Sequence, residues 1–237
     1  MTSLNHTRPD IRSILFALMM SVFLIALDQT IVAVSMPAIS AQFQDFDLLA
    51  WVISAYMVAL TVAVPIYGKL GDLYGRRRLM LFGLGTFTVA SLFCAMAQSM
   101  EQLVLARVLQ GIGAGGMVSV SQAIIGDIVP PRERGRYQGY FSSMYAAASV
   151  AGPVLGGFMT EYLSWRWVFI INPPLGFVAW WLARQTLLRL PLPHRKPILD
   201  YLGPLLLIVG PPPLLPPTPA TPQGPLSPPP HPQAPLP

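Results

Sequence analysis

The sequence predicts an all-α membrane protein with six transmembrane helices, on three observations: its composition, the length of its apolar runs and the placement of its charges. Of 237 residues, 53% are apolar and 11% charged, with a mean hydropathy of +0.54. A soluble domain carries about 25% charged residues. A bilayer core of about 30 Å takes about 20 apolar residues per helix, and six runs reach that length: roughly 13–34, 48–67, 79–97, 103–125, 140–159 and 167–187. A seventh run, at 201–210, is too short, since Tyr201 to Val209 makes about 14 Å of helix, less than half a crossing.

The charges alternate with the loops. Arg8 and Arg12 precede span one; Lys69, Arg76, Arg77 and Arg78 follow span two; Arg132, Arg134 and Arg136 follow span four; Arg184, Arg189, Arg195 and Lys196 follow span six. That puts thirteen of fifteen Lys and Arg on one side, against Asp45, Asp47, Glu101 and Glu161 with only Arg166 on the other. By the positive-inside rule, residues 1–12 form a cytoplasmic N-terminus and 189–200 a cytoplasmic linker, flanking a six-span domain at 13–188. The net charge of +5 is therefore not read as a nucleic-acid surface. The first run is longer than the 7 to 15 residues of a signal core, and five spans follow it. Cys94 is the sole cysteine, so no internal disulfide is possible.

Span one holds Asp28, which costs roughly 2.5–3.5 kcal/mol at a bilayer centre on insertion scales. Ser21, Asp28 and Ser35 are seven apart and share one stripe of a helix. Lipid cannot hydrogen-bond such a stripe, so it is expected to face protein or a water-filled cavity. In span four, Arg107 either snorkels to the surface or faces protein together with Gly111 one turn on. Ending span one near Ser35 places Asp28 and Arg107 at comparable depth, which makes an interaction geometrically possible. Gly111 and Gly115, Gly152 and Gly156, and the ladder Ser143, Ala147, Ala151 have the four-residue spacing that lets membrane helices approach closely. Trp51, Trp165 and Trp167 stand near outer span ends, where aromatic belts are ordinary.

Between spans two and three, Gly68-Lys-Leu-Gly-Asp72-Leu-Tyr-Gly75-Arg76-Arg77 resembles motif A of the major facilitator superfamily. Residues 103–116, with Arg107 and Gly111, are similar to its motif B. Residues 151–157, with Gly152, Pro153, Gly156 and Gly157, are similar to motif C, the antiporter signature. Residues 27–39 and 165–176 look like the first and sixth spans of its EmrB/QacA-type, 14-span drug:proton antiporters. The resemblance covers about residues 11 to 209, and the sequence lacks the element that sugar porters carry after span six.

This resemblance implies the N-terminal half of a major facilitator fold, as two inverted three-helix repeats, in the plasma (inner) membrane. It implies a gating network on the cytoplasmic side, with Gly68, Asp72, Gly75, Arg76 and Arg77, and with Asp127 and Arg136 as its candidate neighbours. It also implies proton-coupled efflux of small organic compounds, the substrate being bound between this half and a missing C-terminal half. Asp28 and Arg107 are then the candidates for proton coupling and for the substrate cavity. A carboxylate holds its proton more tightly when desolvated and less tightly beside a cation or water, so alternating access would load and unload it while a cationic substrate competes. The alternative is a structural Asp28 that only packs against Arg107.

Fourteen of the final 27 residues are proline, and 211–237 contains only Pro, Leu, Thr, Ala, Gln, Gly, Ser and His. All but Gly have codons with cytosine in the first or second position, as in a GC-rich gene read in a wrong frame. The expectation is a frameshift near residue 210, against a genuine proline-rich tail in polyproline II or disorder. Two further readings are a non-transporting truncated membrane protein that acts as an assembly partner, and a membrane anchor whose tail recruits a soluble protein. No nucleophile, metal cluster or phosphate loop stands at useful spacing, so neither an enzyme nor a cofactor nor a metal is expected.

Overall fold

The computed structural model describes residues 11–189. The expectations for the first ten residues, the linker, the incomplete seventh span and the proline-rich tail lie outside the described residues. Seven helices follow in order: α1 Ile11–Phe43, α2 Leu49–Tyr74, α3 Arg76–Met96, α4 Met100–Ile128, α5 Arg134–Tyr162, α6 Trp167–Ile170 and α7 Asn172–Thr186, the last continued by a 3-10 turn at Leu187–Arg189.

The helices outrun the apolar runs because a helix need not stop where hydrocarbon ends. α1 passes through Pro37 and on to Phe43, beyond the end expected near Ser35. Asp28 therefore sits near mid-helix, about 22 Å along the axis from Phe43. α4 begins on Ser99, whose side chain accepts from Gln102 N at 3.3 Å, while Gln102 Oε1 accepts from Gln98 N at 3.0 Å. The exchange satisfies the first-turn N–H of Gln102 and the N–H of Gln98 just before the helix. α2 and α3 meet at Gly75, whose φ of 89° is a conformation that a Cβ disfavours.

The sixth span is divided. Pro173 and Pro174 supply no N–H, so the carbonyls of Phe169 and Ile170 lose their usual donors. Ile171 keeps helical angles, φ −67° and ψ −27°, so the chain holds its course while the hydrogen-bond ladder is interrupted. α1 to α4 are each long and apolar enough to cross a membrane. α5 is as long as α4 at 29 residues, but Ser, Gly and Tyr dilute it.

Packing follows a symmetric scheme. α2 lies along α4 and α1 along α5; α3 packs on α4 and α7 on α1; α3 and α7 touch each other. Exchanging α1, α2 and α3 for α4, α5 and α6–α7 maps the first four pairs onto one another and the α3–α7 pair onto itself. Three crossings per repeat start the second repeat from the opposite side, so the two repeats are inverted.

Glycines set the close approaches. A Cβ at Gly115 would meet Leu60 O at 2.5 Å, and one at Gly113 would meet Phe87 N at 2.6 Å. Gly152 and Gly156 lie against Thr30 and Ile31 of α1. Ser143 and Ala147 instead face outward, so that part of the small-residue ladder has no partner among the described residues. Two apolar clusters fill the interior, one around Ile25, Phe87, Ala114 and Ala179, the other around Ile31, Val52, Leu103 and Phe169. A layer of polar side chains separates them.

Candidate functional site: a buried Asp–Arg network

That layer is built by one short stretch from each of five helices. α1 supplies Asp28, α2 Tyr56, α3 Ser91 and Cys94, α4 Arg107 and Gln110, and α7 Asn172. Arg107 and Gln110 are three apart on one helical face, and Asn172 is positioned by the proline-made interruption. Asp28, Ser91, Gln110 and Asn172 are 0% exposed and Arg107 is 1% exposed.

Three side chains, Arg107, Gln110 and Asn172, donate to the carboxylate. Arg107 Nη1 donates to Asp28 Oδ2 at 2.6 Å and to Gln110 Oε1 at 2.7 Å. Asp28 Oδ1 accepts from Asn172 Nδ2 at 2.7 Å and Gln110 Nε2 at 2.9 Å. Gln110 Nε2 also donates to Ser91 Oγ at 2.7 Å, and Ser91 hands its own hydrogen to Phe87 O at 3.0 Å. Arg107 Nε reaches Val52 O at 3.2 Å, and the Tyr56 ring covers the guanidinium at 4.0 Å. A buried ion pair is tolerated when hydrogen bonds occupy its remaining lone pairs and protons, and here they occupy Asp28 Oδ1 and Arg107 Nε and Nη1. Two atoms are left over: the Tyr56 hydroxyl and Asn172 Oδ1 are buried without a hydrogen-bond partner.

Asp28 and Arg107 are thus in contact, and Arg107 does not snorkel. Of the two surroundings expected for the stripe, protein or a water-filled cavity, it takes the first: Ser21 and Ser35 are fully buried and donate to their own helix, at Ala17 O (3.0 Å) and Ile31 O (2.9 Å). The site lies within this half, with Asp28 and Arg107 buried among the described residues. Gly152 and Gly156 bring α5 onto α1 within a turn of Asp28, where Thr30 Oγ1 donates to Ala148 O at 3.0 Å. Pro153 is exposed, and no atom lies within 4 Å of a Cβ built on Gly157.

The second expected cluster forms at the end of the bundle where α2 meets α3. Arg76 joins Asp127 at 2.5 Å and Asp72 at 3.3 Å, tying the start of α3 to the end of α4. Gly68 fits against Ser119 of α4, while Arg77 keeps a buried Nε without a hydrogen bond. Arg136 does not join; its Nε donates to Tyr140 one turn along its own helix at 3.3 Å. Arg134, which sequence reasoning passed over, takes the capping position, donating to Gly126 O at 2.7 Å and Val129 O at 3.3 Å.

At the opposite end Trp165 is no belt residue. It is 3% exposed and donates from Nε1 to Gln42 Oε1 at 2.6 Å. Arg166 covers its ring at 4.5 Å and donates to Ala97 O at 3.0 Å, which fastens α1, α3 and α6 together.

Residues 18–222 match the Major Facilitator Superfamily. Multidrug resistance protein 3 of Bacillus subtilis (strain 168) is 41% identical over 197 residues, which are 83% of this chain and 38% of that protein. Efflux pump dotC of Dothistroma septosporum (strain NZE10 / CBS 128990) is 38% identical over 202 residues, 83% of this chain and 35% of that one. The chain thus spans about a third of the length of these curated relatives. The human organic anion transporter MFSD10 (TETRAN) shares the fold, with a TM-score of 0.70 at 20% identity over 84% of this chain and 54% of that chain. With the family matched along most of its length and a bundle of two inverted three-helix repeats, this chain belongs to the major facilitator superfamily.

Proposed function

We propose that this chain is one wall of a carrier that exports small organic compounds in exchange for protons, with Asp28 as the proton-carrying group. The observation that carries the reading is the buried Asp28–Arg107 pair with its converging donors, where five helices meet. The drug-efflux names of the relatives support the substrate class.

In this conformation a charged Asp28 balances Arg107. Protonation removes half of the pair, and Arg107 keeps only Gln110, Val52 O and the Tyr56 face. The electrostatic tie between α1 and α4 weakens, and α5, seated on α1 through Gly152 and Gly156, moves with α1. A cationic substrate reaching the opened site takes over the carboxylate and displaces the proton. The basic loops orient the N-terminus to the cytoplasm of the plasma membrane, and the Arg76–Asp72–Asp127 cluster then closes the cytoplasmic end.

The test uses everted membrane vesicles holding the complete carrier, with ethidium as probe. Asp28→Asn should abolish proton-driven ethidium movement while the protein still inserts; full activity of that variant refutes the assignment. Complete burial of the pair favours a second reading, in which Asp28 and Arg107 only pin the helices. Under that reading the paired replacement Asp28→Leu with Arg107→Met transports ethidium normally.

A further inference from the structure

We infer that Asn172 is the positioning residue that lets Asp28 change protonation state inside its buried site, by rotating its side-chain amide so that its unpartnered Oδ1 accepts the new Asp28 O–H. This rests on the reading of Asp28 as the proton carrier.

The inference follows from counting donors and acceptors. A charged Asp28 only accepts, and three donors meet it: Arg107, Gln110 and Asn172. A protonated carboxyl must also donate, so one neighbour has to become an acceptor. Arg107 has five donors and no acceptor. Gln110 Oε1 already accepts from Arg107 Nη1 at 2.7 Å and from Cys94 Sγ at 3.5 Å, so turning that amide would point its NH2 at the guanidinium. Asn172 differs, because its Oδ1 is fully buried and accepts nothing.

A half-turn of the Asn172 amide exchanges Nδ2 for Oδ1 at 2.7 Å from Asp28 Oδ1. It sacrifices one further contact, the 3.3 Å bond to Ser91 Oγ, and Ser91 keeps its stronger donor, Gln110. One unpartnered acceptor becomes one unpartnered donor, so the count of unsatisfied buried atoms does not rise. The orphaned oxygen is thus the feature that makes both charge states of Asp28 tolerable to the side chains around it.

The other ionisable groups facing Asp28 do not serve. Arg107 stands on α4, Tyr56 on α2 and Cys94 on α3. Tyr145 of α5 acts on Tyr56, and α7 presents only the amide. No hydrogen bond joins Tyr56 or Cys94 to Asp28 among the described residues.

The sequence makes the test selective, since Asn5 and Asn172 are the only asparagines. The full chain, with Asn5→Ser and side-chain 13C-asparagine, is placed in lipid vesicles and acidified under difference infrared spectroscopy. A protonated-carboxyl band should appear together with a downward shift of the labelled amide carbonyl, as that oxygen gains a donor. Asp28→Asn should lose both signals, its added asparagine giving a pH-independent band. In Asn172→Leu the carboxyl band should move to the position of a weakly bonded acid, and Asn172→Gln, which keeps both amide groups, should restore the bonded position. A carboxyl band assigned to Asp28 with no change in the labelled amide overturns the role of Asn172 alone. Absence of any Asp28 carboxyl band overturns the proton-carrier reading and this inference with it.

Discussion

Replacing Gly111 with alanine tests whether glycine contact between α2 and α4 holds the site in register. A Cβ at Gly111 meets the Tyr56 carbonyl oxygen and comes within 2.9 Å of Ala59 Cβ. Carbon atoms rest at about 3.5–4.0 Å, so α4 must retreat by about 0.6–1 Å. Arg107 is one turn away on the same face, and its 3.2 Å bond to Val52 O would open to about 4 Å, outside hydrogen-bond range. Overpacking costs about 1–3 kcal/mol, and losing a bond to a charged group about 1.5–3 kcal/mol. Alanine returns about 1 kcal/mol of helix propensity, leaving a net loss of about 1.5–5 kcal/mol. The assay is reversible SDS unfolding of the chain in mixed micelles, followed by circular dichroism. Gly85→Ala is the control, since nothing lies within 4 Å of its Cβ position, and it should be neutral or slightly stabilising. Equal stability of the two variants would refute the packing argument.

Three further outcomes follow from the same geometry. Asp28→Ala and Arg107→Ala should each cost about 3–5 kcal/mol in SDS unfolding, because each strands a buried charge, and the paired replacement Asp28→Leu with Arg107→Met should cost less than either. Gly75→Ala should lose about 1–3 kcal/mol in the same assay, since φ there is 89°. Cys94, buried and bonded to Gln110, should react slowly with N-ethylmaleimide in vesicles and faster in Asp28→Ala; as the sole cysteine it reports loosening of the network directly.

The spans were legible because each is a long apolar run, and their ends were not, because backbone hydrogen bonding carries α1 well past the hydrocarbon boundary. Asp28 and Arg107 stood out as charges in apolar surroundings. Gln110, Ser91 and Asn172 gave the same signal more faintly: each is a polar residue inside a predicted span, and Asn172 also precedes two prolines that interrupt a helix. Reading neutral amides with the weight given to charges would have found the network. Trp165 misled because a position beside a loop says nothing of the side chain's direction, and here that side chain turns inward to Gln42. Arg136 misled for a related reason: its own helix offers Tyr140 one turn away, nearer than the carboxylates of another helix. Gly111, Gly115, Gly152 and Gly156 were read correctly as contact points, but which helix each one meets depends on the tertiary pairing.

Whether Asp28 carries the exchanged proton is tested most directly by adding tetraphenylphosphonium to the complete carrier, solubilised in weakly buffered detergent with a pH-sensitive dye. The carrier with Asp28 intact should release protons as the cation binds, and the Asp28→Asn variant should bind it with no release. Equal proton release from that variant would contradict the assignment.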